Sequence, residues 1–442
     1  MKSEQEFKKI ISSGFWRHIS RYSFIPEKHK NTRNDFCNNL YRDIINKKYH
    51  PNIPKDYVIN NKHNGVTRLI PVLTKKDTCV YYFCVKALED FLSEGYVDCT
   101  FGGFRLNGKI KEKEDDLFNE INEAPYSVSP FSYNPSAWVG AWTDFQKKAY
   151  AISREGVLSY FIIFDIANFY DSINLILLEN KIRNSADKTS SEVVDLLFYF
   201  LKYWDRELSF YAPRTTGIPM DDFGDSSRLL ANFFLQDYDK KIHNYCELNN
   251  SKYLRYADDQ IILSSDKNVA EKILRFGSIE LSKMGLNINS GKVKTFSSRD
   301  KFEEYWAFEI FEHLQNKKDT KAVEIGIKKY LEKNRENIRW ISVLRRILTC
   351  ELDKINISLK KEIFRQFFNK DFIVSCNHRQ LLRLYEILKS DKHKNWYLDS
   401  LERIAINYLY TDFHYNLLLA KNNGLPISFE ERIKSRIKEL KF

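Results

Sequence analysis

The sequence predicts an α+β protein, a sheet-bearing body followed by an all-helical C-terminal domain. Three observations carry that prediction. Tyr160–Phe164 (YFIIF) is an aromatic and β-branched run with the texture of a buried central strand. Tyr253–Tyr256 and Ile261–Leu263 read as two further strands around a short polar turn. From about residue 315 onward helical periodicity repeats, and strand-like stretches nearly vanish.

Composition narrows the class. A chain of 442 residues holds two to three domains, and 43% hydrophobic with 29% charged residues describes a globular protein. The net charge of +11 points to a polyanionic partner, most simply nucleic acid. The 26 Tyr and 32 Phe suit both core packing and base stacking. Seven cysteines, an odd number with no CxxC spacing, read as free thiols in a reducing compartment and argue against a zinc site. The N-terminus MKSEQEFKKIISSGFW has no apolar segment of signal-peptide type, and no run nears the ~20 apolar residues of a membrane span. A cytoplasmic protein with no membrane partner is expected.

In chain order, residues 1–64 mix charged and aromatic residues and suggest a helical extension. Arg68–Val72 reads as a strand ended by Pro71, and Lys75, Lys76 and Asp77 open an amphipathic helix through Leu88. A basic strand and loop before a helix can hold phosphates; a solvated charge cluster fits as well. Phe101–Leu106 (FGGFRL) is a glycine turn with Arg105, residues 109–134 read as a surface loop, and Trp138–Ile152 as a helix.

Asp165 follows the YFIIF run directly. A carboxylate at the end of a buried strand is costly unless it is paired or metal-bound, although it can also cap a following helix. Phe169 and Tyr170 are placed to wall a pocket. Two helices fill residues 174–206. A loop with Gly217, Pro219 and Gly224 then leads to a helix over Ser227–Asp239. Next comes YLRYADDQIILSS, with Asp258 and Asp259 adjacent in the turn. Neighbouring carboxylates repel and call for a compensating cation such as Mg²⁺; a solvated Asp-Asp turn fits the hairpin alone equally well. Asn268–Lys283 reads as a helix and Gly285–Phe296 as a turn and strand with Lys292 and Lys294. Residues 302–311 read as one more short strand.

Asp258 follows Asp165 by 93 residues, with helices between. That order can set Asp165, Asp258 and Asp259 together on one antiparallel sheet, the carboxylate cluster that two-metal phosphoryl transfer requires.

Over roughly residues 65–310 the chain resembles the reverse transcriptases. FIIFDIANFYDSI resembles their motif A, GIPMDDFGDSSRLLANFFL motif B, YADD motif C and GLNINSGK motif D. TRLIPVLTKKD and FGGFR resemble finger motifs, and YWAFEI the primer-grip strand. The resemblance implies a right-hand polymerase, fingers and antiparallel palm over 65–312, with a thumb-like or helical-repeat domain over 313–442. It implies a site for two Mg²⁺ ions (or Mn²⁺) at Asp165, Ile166, Asp258 and Asp259. Lys292 would then protonate pyrophosphate or touch the triphosphate, and Tyr170, beside Phe169, would gate against a ribose 2′-hydroxyl. Arg68, Arg105, Ser227 and Asn232 would contact substrate. Where the family's motif B has Gln-Gly after its proline, this chain has Met220 and Asp221, which implies an unusual use of template.

A reverse transcriptase followed by helices resembles the prokaryotic abortive-infection and defence-associated lineage, including its unknown groups. Members act against phage; some copy a noncoding RNA, some synthesise DNA without a template, and some prime from tyrosine. That implies RNA, DNA product and deoxynucleoside triphosphates as partners, admits a homo-oligomer, and makes Tyr408, Tyr410 and Tyr415 candidate primers. The alternative is a catalytically inactive, polymerase-like RNA-binding module that signals through its helices.

Overall fold

The protein is described from a computed structural model, which covers residues 2–21, 32–63, 66–102, 106, 109–112, 121–124, 137–155, 157–186, 190–206, 217–220 and 226–440. The chain divides into two compact units. Unit 1 comprises Met1–Ser20, Glu27–Asp56 and Pro71–Phe302, and unit 2 comprises Arg21–Pro26, Tyr57–Ile70 and Glu303–Phe442.

Unit 1 opens with helices α1 (Glu4–Ile10), α2 (Ser13–Arg21) and α3 (Arg33–Ile45). Phe7 packs tilted against Phe83 and Phe15 stacks on Tyr82 of α4 (Lys75–Ala87), which fixes α1 and α2 to the body. Thr74 caps α4 by accepting from the Asp77 amide. The short α5 (Glu89–Leu92) follows at once. The described residues of the expected surface loop over 109–134 form two short strands. Strands β4 (Lys109–Glu112) and β5 (Ile121–Ala124) pair antiparallel there. Helix α6 (Ala137–Arg154) comes next.

The sheet that positions the site has five strands in the order β3-β7-β8-β6-β9. These are β3 (Thr100–Phe101), β6 (Tyr160–Phe164), β7 (Lys252–Tyr256), β8 (Asp259–Ser264) and β9 (Lys294–Phe296). β6 lies between β8 and β9, antiparallel to both, and the hairpin partner β7 carries β3 in parallel on its far side. The sheet is therefore mixed rather than wholly antiparallel. A parallel neighbour is possible because residues 102–251 intervene between β3 and β7. The inner strands are buried almost throughout, as YFIIF and QIILS require. Helices α7 (Phe169–Ser172), α8 (Leu175–Ser185), α9 (Ser191–Tyr203), α10 (Ser226–Leu248) and α11 (Lys267–Lys283) complete the body. α10 runs nine residues past the expected end at Asp239, since Ile242 and Cys246 continue its buried face.

The strand expected over residues 302–311 is not formed. That stretch is helical, α12 (Arg299–Trp306) and α13 (Phe308–His313), broken at Ala307, whose φ is 57°. Phe302, Tyr305 and Trp306 fall at i, i+3 and i+4, a helical period that aromatic content disguises as strand. The primer-grip expectation for YWAFEI loses its strand accordingly.

Unit 2 contains α14 (Thr320–Glu332), α15 (Trp340–Leu348), α16 (Ile357–Phe367), α17 (Lys370–Ser375), α18 (His378–Glu386), α19 (Asp391–Asn407), α20 (Thr411–Asn422) and α21 (Glu430–Glu439). It is not purely helical. Strands β1 (Asp56–His63) and β2 (Val66–Val72) form a two-stranded sheet, most of which belongs to this unit, so the expected helical extension over 1–64 ends in a strand. The β1 amides of Ile59 and Asn61 donate to Thr411 and Asp412 at the start of α20. β2 continues through Pro71 to Val72.

Candidate active site

The site is built from the ends of β6, β7 and β8. Asp165 leaves β6 and is 5% exposed. Beyond it the chain keeps extended pairing with the segment after α11: the Asn289 amide donates to the Asp165 carbonyl, the Ala167 amide to the Asn287 carbonyl, and Ile166 bridges Ile288. Residues 165 and 167 thus turn their backbone groups toward residues 287–289. By strand alternation the Ile166 carbonyl is directed to the opposite side, where β8 lies. Asn168 then adopts a left-handed conformation (φ 45°) and the chain enters α7.

The hairpin turn is tighter than the sequence suggests. Tyr256 pairs with Asp259, so only Ala257 and Asp258 form the loop and Asp259 begins β8. Phe164 pairs with Gln260, and continuing that register by one residue sets Asp165 opposite Asp259. Directly opposed residues have Cβ atoms about 4.5–5.5 Å apart. Asp258 and Asp259 are each partly exposed.

Lys292 sits in a single 3₁₀ turn (Ser290–Lys292), and its ammonium donates to Asp165 Oδ2 at 2.5 Å. The register brings Asp165 opposite Asp259, while among the described residues no three acidic, histidine or cysteine side chains group as a ready metal-holding set. Like charges repel at close range, and Asp165 is paired with Lys292. Its other oxygen, Oδ1, is buried with no hydrogen-bond partner. A buried carboxylate oxygen without a donor is expensive, and a cation would satisfy it. The donor set therefore fits a hard divalent ion on Asp165, completed by carboxylates of the facing hairpin.

Tyr170 is half-buried and Phe169 fully buried. The loop that enters α10 rests on this segment: the Ile218 amide donates to the Tyr170 carbonyl at 3.0 Å. A Cβ on Gly217 would fall 2.1 Å from that carbonyl oxygen, so only glycine fits. Two residues expected at substrate are turned inward. Ser227 is 2% exposed, bonded to Tyr81 and the Pro219 carbonyl, and Asn232 is 0% exposed. Ser227 faces α4 and Asn232 faces the strand ends, on different sides of a helix that is buried on more than one side. Arg68 stands on β2, in unit 2. Arg105 and the motif B residues Asp221–Asp225 lie outside the described residues. Of the candidate priming phenols, Tyr408 and Tyr415 are buried and Tyr410 is half-buried. Burial pushes the Tyr408 phenol well up.

One group of site residues escaped the sequence reading. Arg255, two positions before the turn, is 0% exposed. It meets Asp239 through Nε at 2.7 Å and Nη2 at 2.6 Å, and its Nη1 donates to Asn232 Oδ1 and the Ala257 carbonyl, each at 2.8 Å. Burial works against its charge, but Asp239 outweighs that and holds the guanidinium above its ordinary range. The signal was present: an arginine inside an otherwise apolar strand run must find a buried partner.

Residues 59–343 match the family described as reverse transcriptase (RNA-dependent DNA polymerase), and the chain belongs to that family. Among solved structures it is similar to apo telomerase from Candida tropicalis, with TM-score 0.35 and 11% identity over 91% of this chain and 74% of that one. It is also similar to telomerase from Candida albicans in complex with a TWJ fragment of telomeric RNA, with TM-score 0.37 and 10% identity over 91% and 67%. Likeness at this level adds nothing to the family assignment. No match was found among curated proteins. No helix among the described residues is long and apolar enough to cross a membrane.

Proposed function

We propose that the chain extends a primer 3′ end with deoxynucleotides directed by RNA, at the site formed by Asp165 and the Asp258–Asp259 hairpin. The observation that carries this is Asp165 itself. It is buried at a strand end, one oxygen is held by Lys292, and the other is left without a donor. Asp165, Asp258 and Asp259, with the Ile166 carbonyl, would hold divalent ions, Mg²⁺ first. Such ions supply Lewis-acid stabilisation of the phosphoryl group and of the attacking and leaving oxygens. Lys292 offers an ammonium beside that centre, able to donate a proton to the leaving pyrophosphate or to bind its charge. The partly exposed Tyr170 provides a ring against which a 2′-hydroxyl would be excluded.

The test is deoxynucleotide incorporation on an RNA template with a DNA primer, with and without Mg²⁺. Wild type should incorporate, and Asp258→Ala should lose at least about 10³-fold in rate with its melting temperature kept. Full activity in Asp258→Ala, or no incorporation by well-folded wild type, would overturn the proposal. A biological role in defence against phage rests on the resemblance to the abortive-infection lineage. Phage plating on cells expressing wild type and Asp258→Ala separates a defence enzyme from an inert RNA-binding module.

A further inference from the structure

We infer that Arg255, Asp239, Asn232 and Gly102 form a buried positioning device that sets the Asp258 turn, an inference that rests on the active-site reading above. The turn has an unusual feature. Ala257 holds a left-handed conformation (φ 51°), which a residue with a side chain keeps only when its surroundings dictate it. Three separate segments impose it. From β7, Arg255 Nη1 donates to the Ala257 carbonyl at 2.8 Å. From α10, Asn232 accepts from the same guanidinium nitrogen at 2.8 Å and donates through Nδ2 to the Gly102 carbonyl at 2.7 Å. From the end of β3, Gly102 (φ 109°) lies so close that a Cβ there would sit 3.2 Å from the Ala257 nitrogen. Asp239 grips the other side of the guanidinium and fixes its plane.

Arginine is required for this geometry because its planar fork reaches Asp239, Asn232 and Ala257 at once, which a lysine ammonium cannot do. None of the four residues needs to touch substrate. They act through the turn, fixing where Asp258 stands relative to Asp165, and a catalytic group displaced by about 1 Å loses on the order of 10²-fold in rate.

The test separates positioning from simple stability. The double variant Arg255→Met/Asp239→Leu removes the ion pair without leaving a buried charge, and such replacements are often neutral for stability. Its kcat should fall about 10–100-fold at unchanged KM for the deoxynucleotide. Hydrogen exchange of the amides at residues 257–259 should speed at least 10-fold in the same folded protein, a readout that needs no activity. A double variant with wild-type melting temperature, turn exchange and kcat would overturn the inference while leaving the active-site reading intact. Wild type that is inactive but shows the exchange difference would instead overturn that reading and keep the positioning role.

Discussion

The sheet-bearing unit and the helical unit hold their charges in opposite ways. Beneath the hairpin, Arg255 and Asp239 have side chains 0% and 2% exposed and are met by one another and by further buried hydrogen bonds from Asn232, Ala257 and Tyr253. Tyr253 lies within reach of both Asp239 Oδ1 (3.2 Å) and Gln260 Oε1 (3.0 Å), and Tyr238 donates to the same Gln260 oxygen at 2.6 Å. In unit 2 the core is Val343, Leu344, Ile347, Phe367, Leu381 and Leu401 with their neighbours, and ion pairs such as Lys389–Asp353 lie on the surface. A bundle needs only an apolar stripe on each helix to close. A polar turn that must stand in one place needs directional bonds, and those must be buried to keep water from competing.

The largest expected effect breaks the comparison at its buried end. Asp239→Ala strips the partner from a fully buried guanidinium and should cost about 3–5 kcal/mol. Asp353→Ala also removes an ion-paired carboxylate, but one that is 64% exposed between Lys360 and Lys389. It should change stability by no more than about 0.5 kcal/mol. Urea unfolding of both variants against wild type decides it, and comparable losses would show that burial is not what separates the two regions.

The same contrast explains what the sequence made legible. Strand β6, the hairpin and the C-terminal helices follow from local periodicity, and Asp165 and Asp258 announce themselves as carboxylates abutting apolar runs. The buried roles of Ser227 and Asn232 did not, because a helix buried on more than one side shows no clean polar face to count from. Arg255 was visible as a charge in a strand, yet its partner Asp239 stands 16 residues earlier on α10, and only the packing of α10 against β7 joins them. The helical period of Arg299–Trp306 was obscured by its aromatic residues, whose strand preference expresses packing more than backbone.

A smaller effect sharpens the helical side. α14, α16, α17, α18 and α19 each begin on a side chain that accepts a first-turn amide: Asp319, Asn356, Asn369, Asn377 and Ser390. Asn377 also forms a capping box with Gln380. Asn377→Ala should cost about 0.5–2 kcal/mol and Asn377→Asp far less, read as shifts in thermal midpoint. A loss in Asn377→Ala as large as that in Asp239→Ala would mean that local capping, rather than the apolar stripe, carries this unit.

The smallest effect concerns Asp412, an acid of unit 2 that is pressed inward. Burial pushes the Asp412 carboxyl up to about 6, against the opposing pull of the Phe413 and Asn61 amides that donate to it. Its pKa in the fold is thus above its unfolded value, so the folded state binds the proton more tightly. Stability from this group is fully present below about pH 4 and is lost as pH rises through about 6. Asp412→Asn cannot ionise and keeps an acceptor oxygen for one of the two amides, which reach different carboxylate oxygens. In thermal unfolding, the stability of Asp412→Asn relative to wild type should therefore be higher at pH 7.5 than at pH 4.5. A difference independent of pH would mean that the Asn61 and Phe413 amides already compensate the buried charge. The junction of β1 with α20 would then behave like the exposed pairs elsewhere in the unit, and not like Asp239 beneath the hairpin.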